Sequence, residues 1–124
     1  MTLLLSGVFL LVGGLFVLAP AAGAGFYGLD ADAPSALFYV RAIGLRDAAL
    51  ALYLFGLAVA GLRRALAIVA FGTLIIPAGD ILLLAASGAG KPVHYLLHAG
   101  SLLCFAGLAC WCRVQDRNAA TISD

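Results

Sequence analysis

Four apolar blocks, roughly residues 3–19, 36–61, 65–86 and 93–112, fill most of the chain, and each is near the ~20 residues that cross a hydrocarbon core ~30 Å thick. Helices that are apolar all round have no polar face to offer water, so the blocks point to an all-α integral membrane protein. The expected architecture is a four-helix transmembrane bundle forming one domain over residues 1–124. Composition agrees: 65% of the residues are hydrophobic, 10% are charged and mean hydropathy is +1.13, which excludes a soluble domain with a polar shell.

The connections are short and carry turn chemistry: PAAGAGFYGLDADAPS after the first block, GLRR after the second and SGAGKP after the third. None has room for a soluble domain. The tail, residues 113–124, is polar and unpatterned and reads as a short frayed end. Arg63, Arg64, Arg113 and Arg117 fall on one side of the four spans, against Lys91 with Asp30 and Asp32 on the other. That asymmetry puts both termini in the cytoplasm, in what we read as a bacterial inner (plasma) membrane. A signal peptide is the alternative for the first block, since Ala22, Gly23 and Ala24 follow its apolar run, but residues 1–6 contain no Lys or Arg for a charged start.

Cys104, Cys110 and Cys112 lie on the last span toward that reducing side and are read as small apolar packing residues. Cys110 and Cys112 make a C-x-C pair, but two ligands with no matching pair elsewhere do not make a metal site.

Charge inside the spans is the more informative feature, because each buried ionisable group costs several kcal/mol and must find a partner or a wet cavity. At a rise of ~1.5 Å per residue, Arg41 lies roughly 8 Å from the outer surface, Arg46 and Asp47 roughly 15 to 17 Å, and Asp80 and His98 roughly 9 Å each. Three helices thus place ionisable groups in one half of the membrane, while the other half holds almost none before Arg63. Helical phase groups them further. Thr73, Pro77, Asp80 and Leu84 form one stripe on the third span, and His94, His98, Ser101 and Phe105 form another on the fourth. On the second, Tyr39, Arg46, Leu50 and Tyr53 share a broad arc with Asp47 at its edge and Arg41 on the far side.

Pro77 cannot donate to the Thr73 carbonyl and should kink its helix. Neighbouring residues point about 100° apart, so Arg46 and Asp47 are expected to find partners on other helices: Arg46 with Asp80, and Asp47 with His98 or Arg41. His94 and His98, with an Asp from another helix, could hold a transition metal; a hydrogen-bonded acid–base cluster explains the same residues, and no metal or cofactor is expected. Gly44, Gly56, Gly13 and Gly14 supply close helix approach, and the first span, without ionisable residues, closes the bundle or faces lipid.

The pattern RAIGLRD at residues 41–47, PAGD at 77–80 and a late His98 resembles the small four-helix membrane proteins of domain-of-unknown-function family 4267. The resemblance covers most of the chain. It implies the four-helix architecture and weight on Arg41, Arg46, Asp47, Asp80 and His98, and no particular chemistry. The length is also similar to that of the small multidrug transporters, but those rely on a Glu in the first helix, where this chain has no acid.

Two carboxyl groups in a low-dielectric cavity can be driven to different protonation states, giving an acid and a base together. The leading expectation is an enzyme of isomerase, epoxide-opening or cyclase type acting on a lipophilic small molecule from the bilayer. Asp47 and Asp80 would be acid and base, Arg46 would orient, and His98 would assist proton transfer. Arg41, Tyr39, Tyr53, His94, Thr73 and Ser101 would contact substrate. No nucleotide loop, haem motif or serine elbow is present, which speaks against phosphoryl and redox chemistry, and no nucleic-acid partner is expected. The alternatives are a small-molecule binding or proton-coupled transport protein, working as a homodimer because four helices enclose little volume, and an accessory structural subunit whose ion pairs lock the bundle.

Overall fold

The computed structural model describes residues 1–27, 34–88 and 90–122. The chain runs α1 Thr2–Leu18, α2 Pro20–Tyr27, α3 Pro34–Val59, α4 Arg63–Thr73, α5 Ile75–Ser87 and α6 Pro92–Ile122. With α4 and α5 in line, the segments Pro34–Val59, Arg63–Ser87 and Pro92–Asp116 are each long and apolar enough to cross a membrane, and α1 is a shorter apolar helix beside them. Leu4, Leu11, Ile75, Leu82, Leu96 and Leu103 lie on the outer surface, as lipid-facing side chains do. The protein is an all-helical membrane bundle.

Proline and glycine set the boundaries. Pro20, Pro34 and Pro92 each occupy the first position of a helix, where the missing N–H costs nothing. The α3–α4 turn is a Schellman motif: Gly61 sits at φ 69, Leu62 N–H donates to the Leu57 carbonyl at 3.0 Å, and Gly61 N–H to that of Ala58 at 3.2 Å. The fourth proline is interior. The break it causes falls at Leu74 and not at Pro77 itself, because both the lost hydrogen bond and the ring clash act on the carbonyl four residues earlier, that of Thr73.

Sequence places PAAGAGFY in a connection, yet it forms α2. Ala19 (φ −130, ψ 64) leaves the helical region, and the chain doubles back so sharply that a Cβ on Gly23 would lie 3.2 Å from the Cα of Phe16. In a straight helix those residues would be about 10 Å apart.

The helices pair as two hairpins, α1 along α3 and the α4–α5 span along α6. At the end bearing Arg63 the hairpins are joined by a core of Leu50, Leu54, Leu66, Ala70, Phe105, Leu108 and Cys112, with the Phe9 ring tilted against Phe105 at a centroid distance of 5.1 Å. A smaller cluster, Phe16, Ala24 and Val40, ties α2 to α1 and α3 toward the other end. Cys112 is packed as anticipated, whereas Cys104 and Cys110 are exposed.

Candidate functional site

Between the two hairpins lies a cavity of about 290 Å³. Its walls come from every element, and most are apolar. α1, the span without an ionisable residue, supplies Leu5, Val8, Phe9, Val12 and Phe16. The polar lining is Tyr27, Arg46, Asp47, Thr73, Asp80, His98 and Ser101.

Asp47 is in the cavity because the buried stripe of α3 is Val40, Gly44, Asp47, Ala51 and Leu54, an alternation of four and three that puts the carboxylate in its middle. Arg46 borders that stripe and, with its side chain 42% exposed, curls back along the helix, its Nε and Nη2 both donating to Asp47 Oδ1 at 3.2 Å. The expectation that the two residues would find partners on other helices is therefore overturned for this pair. Adjacent positions diverge at Cβ, but the arginine side chain is long enough to curl back to its neighbour. No ion pair joins Arg46 to Asp80 or Asp47 to His98 or Arg41 among the described residues.

Across the cavity, His98 Nδ1 of α6 lies 3.4 Å from Asp80 Oδ2 of α5, with both side chains largely buried. The break at Leu74 lies just ahead of Asp80, and Thr73, whose hydroxyl donates to the Val69 carbonyl at 2.8 Å, lines the wall below it. Tyr27, the last residue of α2, joins the two sides. Its ring stands edge-on to His98 at 4.7 Å and to Phe16 at 5.8 Å, and its hydroxyl is within electrostatic reach of both Asp80 and Arg46. Asp47 and Asp80 line the same cavity.

Of the residues singled out from sequence, Arg46, Asp47, Asp80, His98, Thr73 and Ser101 are brought together on the cavity. Tyr39 and Tyr53 are not: at 69% and 63% exposure they face outward, because the buried stripe of α3 is centred one position away from the arc assumed. Arg41 is exposed on the same helix and outside the cavity lining. His94 is buried but serves the start of α6, its Nδ1 accepting the N–H of Lys91 at 3.2 Å in the manner of a capping box. Asp30 and Asp32 lie outside the described residues.

Sequence reasoning missed Tyr27, assigned to a loop. The available signal was Pro20 at a helix start followed by small residues that could pack against a neighbouring helix. No group of three or more His, Cys, Asp or Glu with metal-binding geometry occurs among the described residues.

The model of one protein family, described as a domain of unknown function (DUF4267), matches residues 6–112, a stretch that contains all the polar groups of the cavity. No curated protein and no solved structure matches the chain.

Proposed function

The chain belongs to the DUF4267 family, and from the chemistry of its cavity we propose that it is a membrane-embedded acid–base enzyme, of isomerase type, acting on a small lipophilic molecule that enters from the bilayer. The observation that carries this reading is the convergence of two differently partnered carboxylates on one apolar-walled cavity. Asp47 faces a permanent cation, Arg46. Asp80 faces an imidazole, which can itself take up or give back a proton. A pair of acids with unlike partners divides the work of donor and acceptor. The cavity is at the lower end of the ~300–1,000 Å³ of small-molecule pockets, which suits a compact substrate better than a two-chain lipid.

The two ion pairs alone do not hold the hairpins together: Arg46–Asp47 lies within one helix, and Asp80–His98 joins α5 to α6, which already pack as a hairpin. Arg63 lies with Thr2 and Gln115 at one end of the bundle, with Arg64 and Arg113 close to them in sequence, which supports placing both termini in the cytoplasm of an inner membrane and the cavity toward the opposite face.

The test begins with native mass spectrometry on protein purified gently with its lipids. Any co-purifying small molecule is then offered back to the wild type and to Asp80→Asn. Conversion by the wild type and binding without conversion by the variant are the expected pair of results. Undiminished conversion by Asp80→Asn removes that residue from the mechanism, and binding without conversion by the wild type makes the protein a carrier.

A further inference from the structure

The two sides of the polar cluster differ in what they can do with a proton. Tyr27 of α2 and Arg46 of α3 are donors: a phenol O–H, and a guanidinium that turns Nε and Nη2 to Asp47 and has further N–H groups among its five. Asp80 of α5 and His98 of α6, 3.4 Å apart, can accept a proton and return it. Tyr27 touches His98 ring to ring and its hydroxyl neighbours Asp80 as well as Arg46, so donors and acceptors meet in a common space and a substrate oxygen would take the Tyr27 O–H over from Asp80. Apart from Asp47, Thr73 and Ser101, the remaining wall, with Phe9 and Phe26, is apolar.

One functional group uses both sides at once: a carbonyl with a hydrogen on the adjacent carbon. Its oxygen accepts hydrogen bonds that strengthen as negative charge develops on it, and its α-hydrogen goes to a base. Resting on the acid–base reading above, we propose that the substrate is a small lipophilic β,γ-unsaturated ketone and that the site moves its double bond into conjugation. The Asp80–His98 pair removes the α-proton. The C–H electrons form a double bond to the carbonyl carbon, and the carbonyl oxygen becomes an enolate oxyanion held by Tyr27 O–H and Arg46 N–H. The same pair delivers the proton to the γ-carbon, the oxyanion returns to C=O, and the alkene ends between the α- and β-carbons. No water, oxidant or cofactor is consumed, which suits a cavity of about 290 Å³. Hydrolytic opening of an epoxide would require a second molecule in the same space.

The test uses purified protein in detergent and two flat probes: naphthol, whose oxygen mimics the dienolate, and naphthalene, which lacks it. The wild type is expected to bind naphthol about tenfold or more tightly than naphthalene, the margin of one good charge-assisted hydrogen bond. Tyr27→Phe and Arg46→Gln should each bring the ratio of naphthol to naphthalene affinity down toward one. In deuterated buffer the wild type should also exchange the α-hydrogens of decalone, and Asp80→Asn should not. Equal binding of both probes by the wild type, or no exchange above buffer, overturns the ketone assignment while the cavity remains a binding site. If neither probe binds, the ketone assignment and the acid–base reading fall together. The wild-type preference is decisive even if a variant does not fold.

Discussion

At Gly13 and Gly44, α1 and α3 meet backbone to backbone: a Cβ added to Gly13 would fall 2.6 Å from the Gly44 carbonyl oxygen and 2.8 Å from the Ala48 nitrogen. Neither contact can give way, so Gly13→Ala should destabilise the protein by about 1–3 kcal/mol, read as a lower thermal midpoint in detergent. Gly56→Ala has open space at its Cβ and should be neutral or slightly stabilising, through helix propensity. Ser6 donates to the Ala51 carbonyl across the same interface at 2.6 Å, and Ser6→Ala should cost about 0.6–1.7 kcal/mol. At the site, Asp47→Asn leaves Arg46 without its charged partner and should cost about 1–3 kcal/mol, whereas Asp80→Asn retains a hydrogen-bonding group beside His98 and should cost less while abolishing proton transfer. Similar losses of stability from the two substitutions would favour the structural reading. At this scale the sequence identified the small residues and the acids, but not which of them meet. Gly13, Gly14, Gly44 and Gly56 look alike in one dimension, and only the docking of α1 on α3 separates the first and third from the others.

The two helix breaks do most to shape the site. The break at Ala19–Pro20 turns α2 back so that Tyr27 reaches His98, and the break at Leu74 interrupts the third span just ahead of Asp80. Pro77→Ala restores the missing N–H, so it should hold or raise the thermal midpoint while weakening binding of a cavity ligand, as Asp80 shifts with the straightened helix. Weaker stability with undiminished binding would show that the kink serves packing alone. Pro77 was legible because its chemistry is local. α2 was not, because Gly23 and Ala24 carry turn-like composition, and their helical state comes from packing on Phe16 and Val40, which no local propensity records. The facing of α3 differs by one position from the sequence expectation for a related reason: an apolar helix in lipid has no polar face to fix its rotation, so Tyr39 and Tyr53 fit inward or outward equally well until the helix is docked.

Seen whole, the bundle is two hairpins packed tightly at the Arg63 end and parted toward the other, with a cavity between them whose polar groups come from both hairpins and from α2. The four-helix membrane architecture was legible from block length and hydropathy because the bilayer imposes both. The cavity was legible only as a shared depth of charges, since its apolar wall is made by α1, a span with nothing to mark it. That wall offers the most direct test that the cavity is a working site. Val12→Phe adds bulk to it while Tyr27, Arg46, Asp47, Asp80 and His98 all keep their identities. Native mass spectrometry of wild type and Val12→Phe, purified in parallel with their lipids and matched for thermal midpoint, reads occupancy of the cavity. The expected result is a small lipophilic molecule bound to the wild type and absent or much reduced in the variant. Equal occupancy in both proteins, or none in the wild type across gentle detergents, would contradict it.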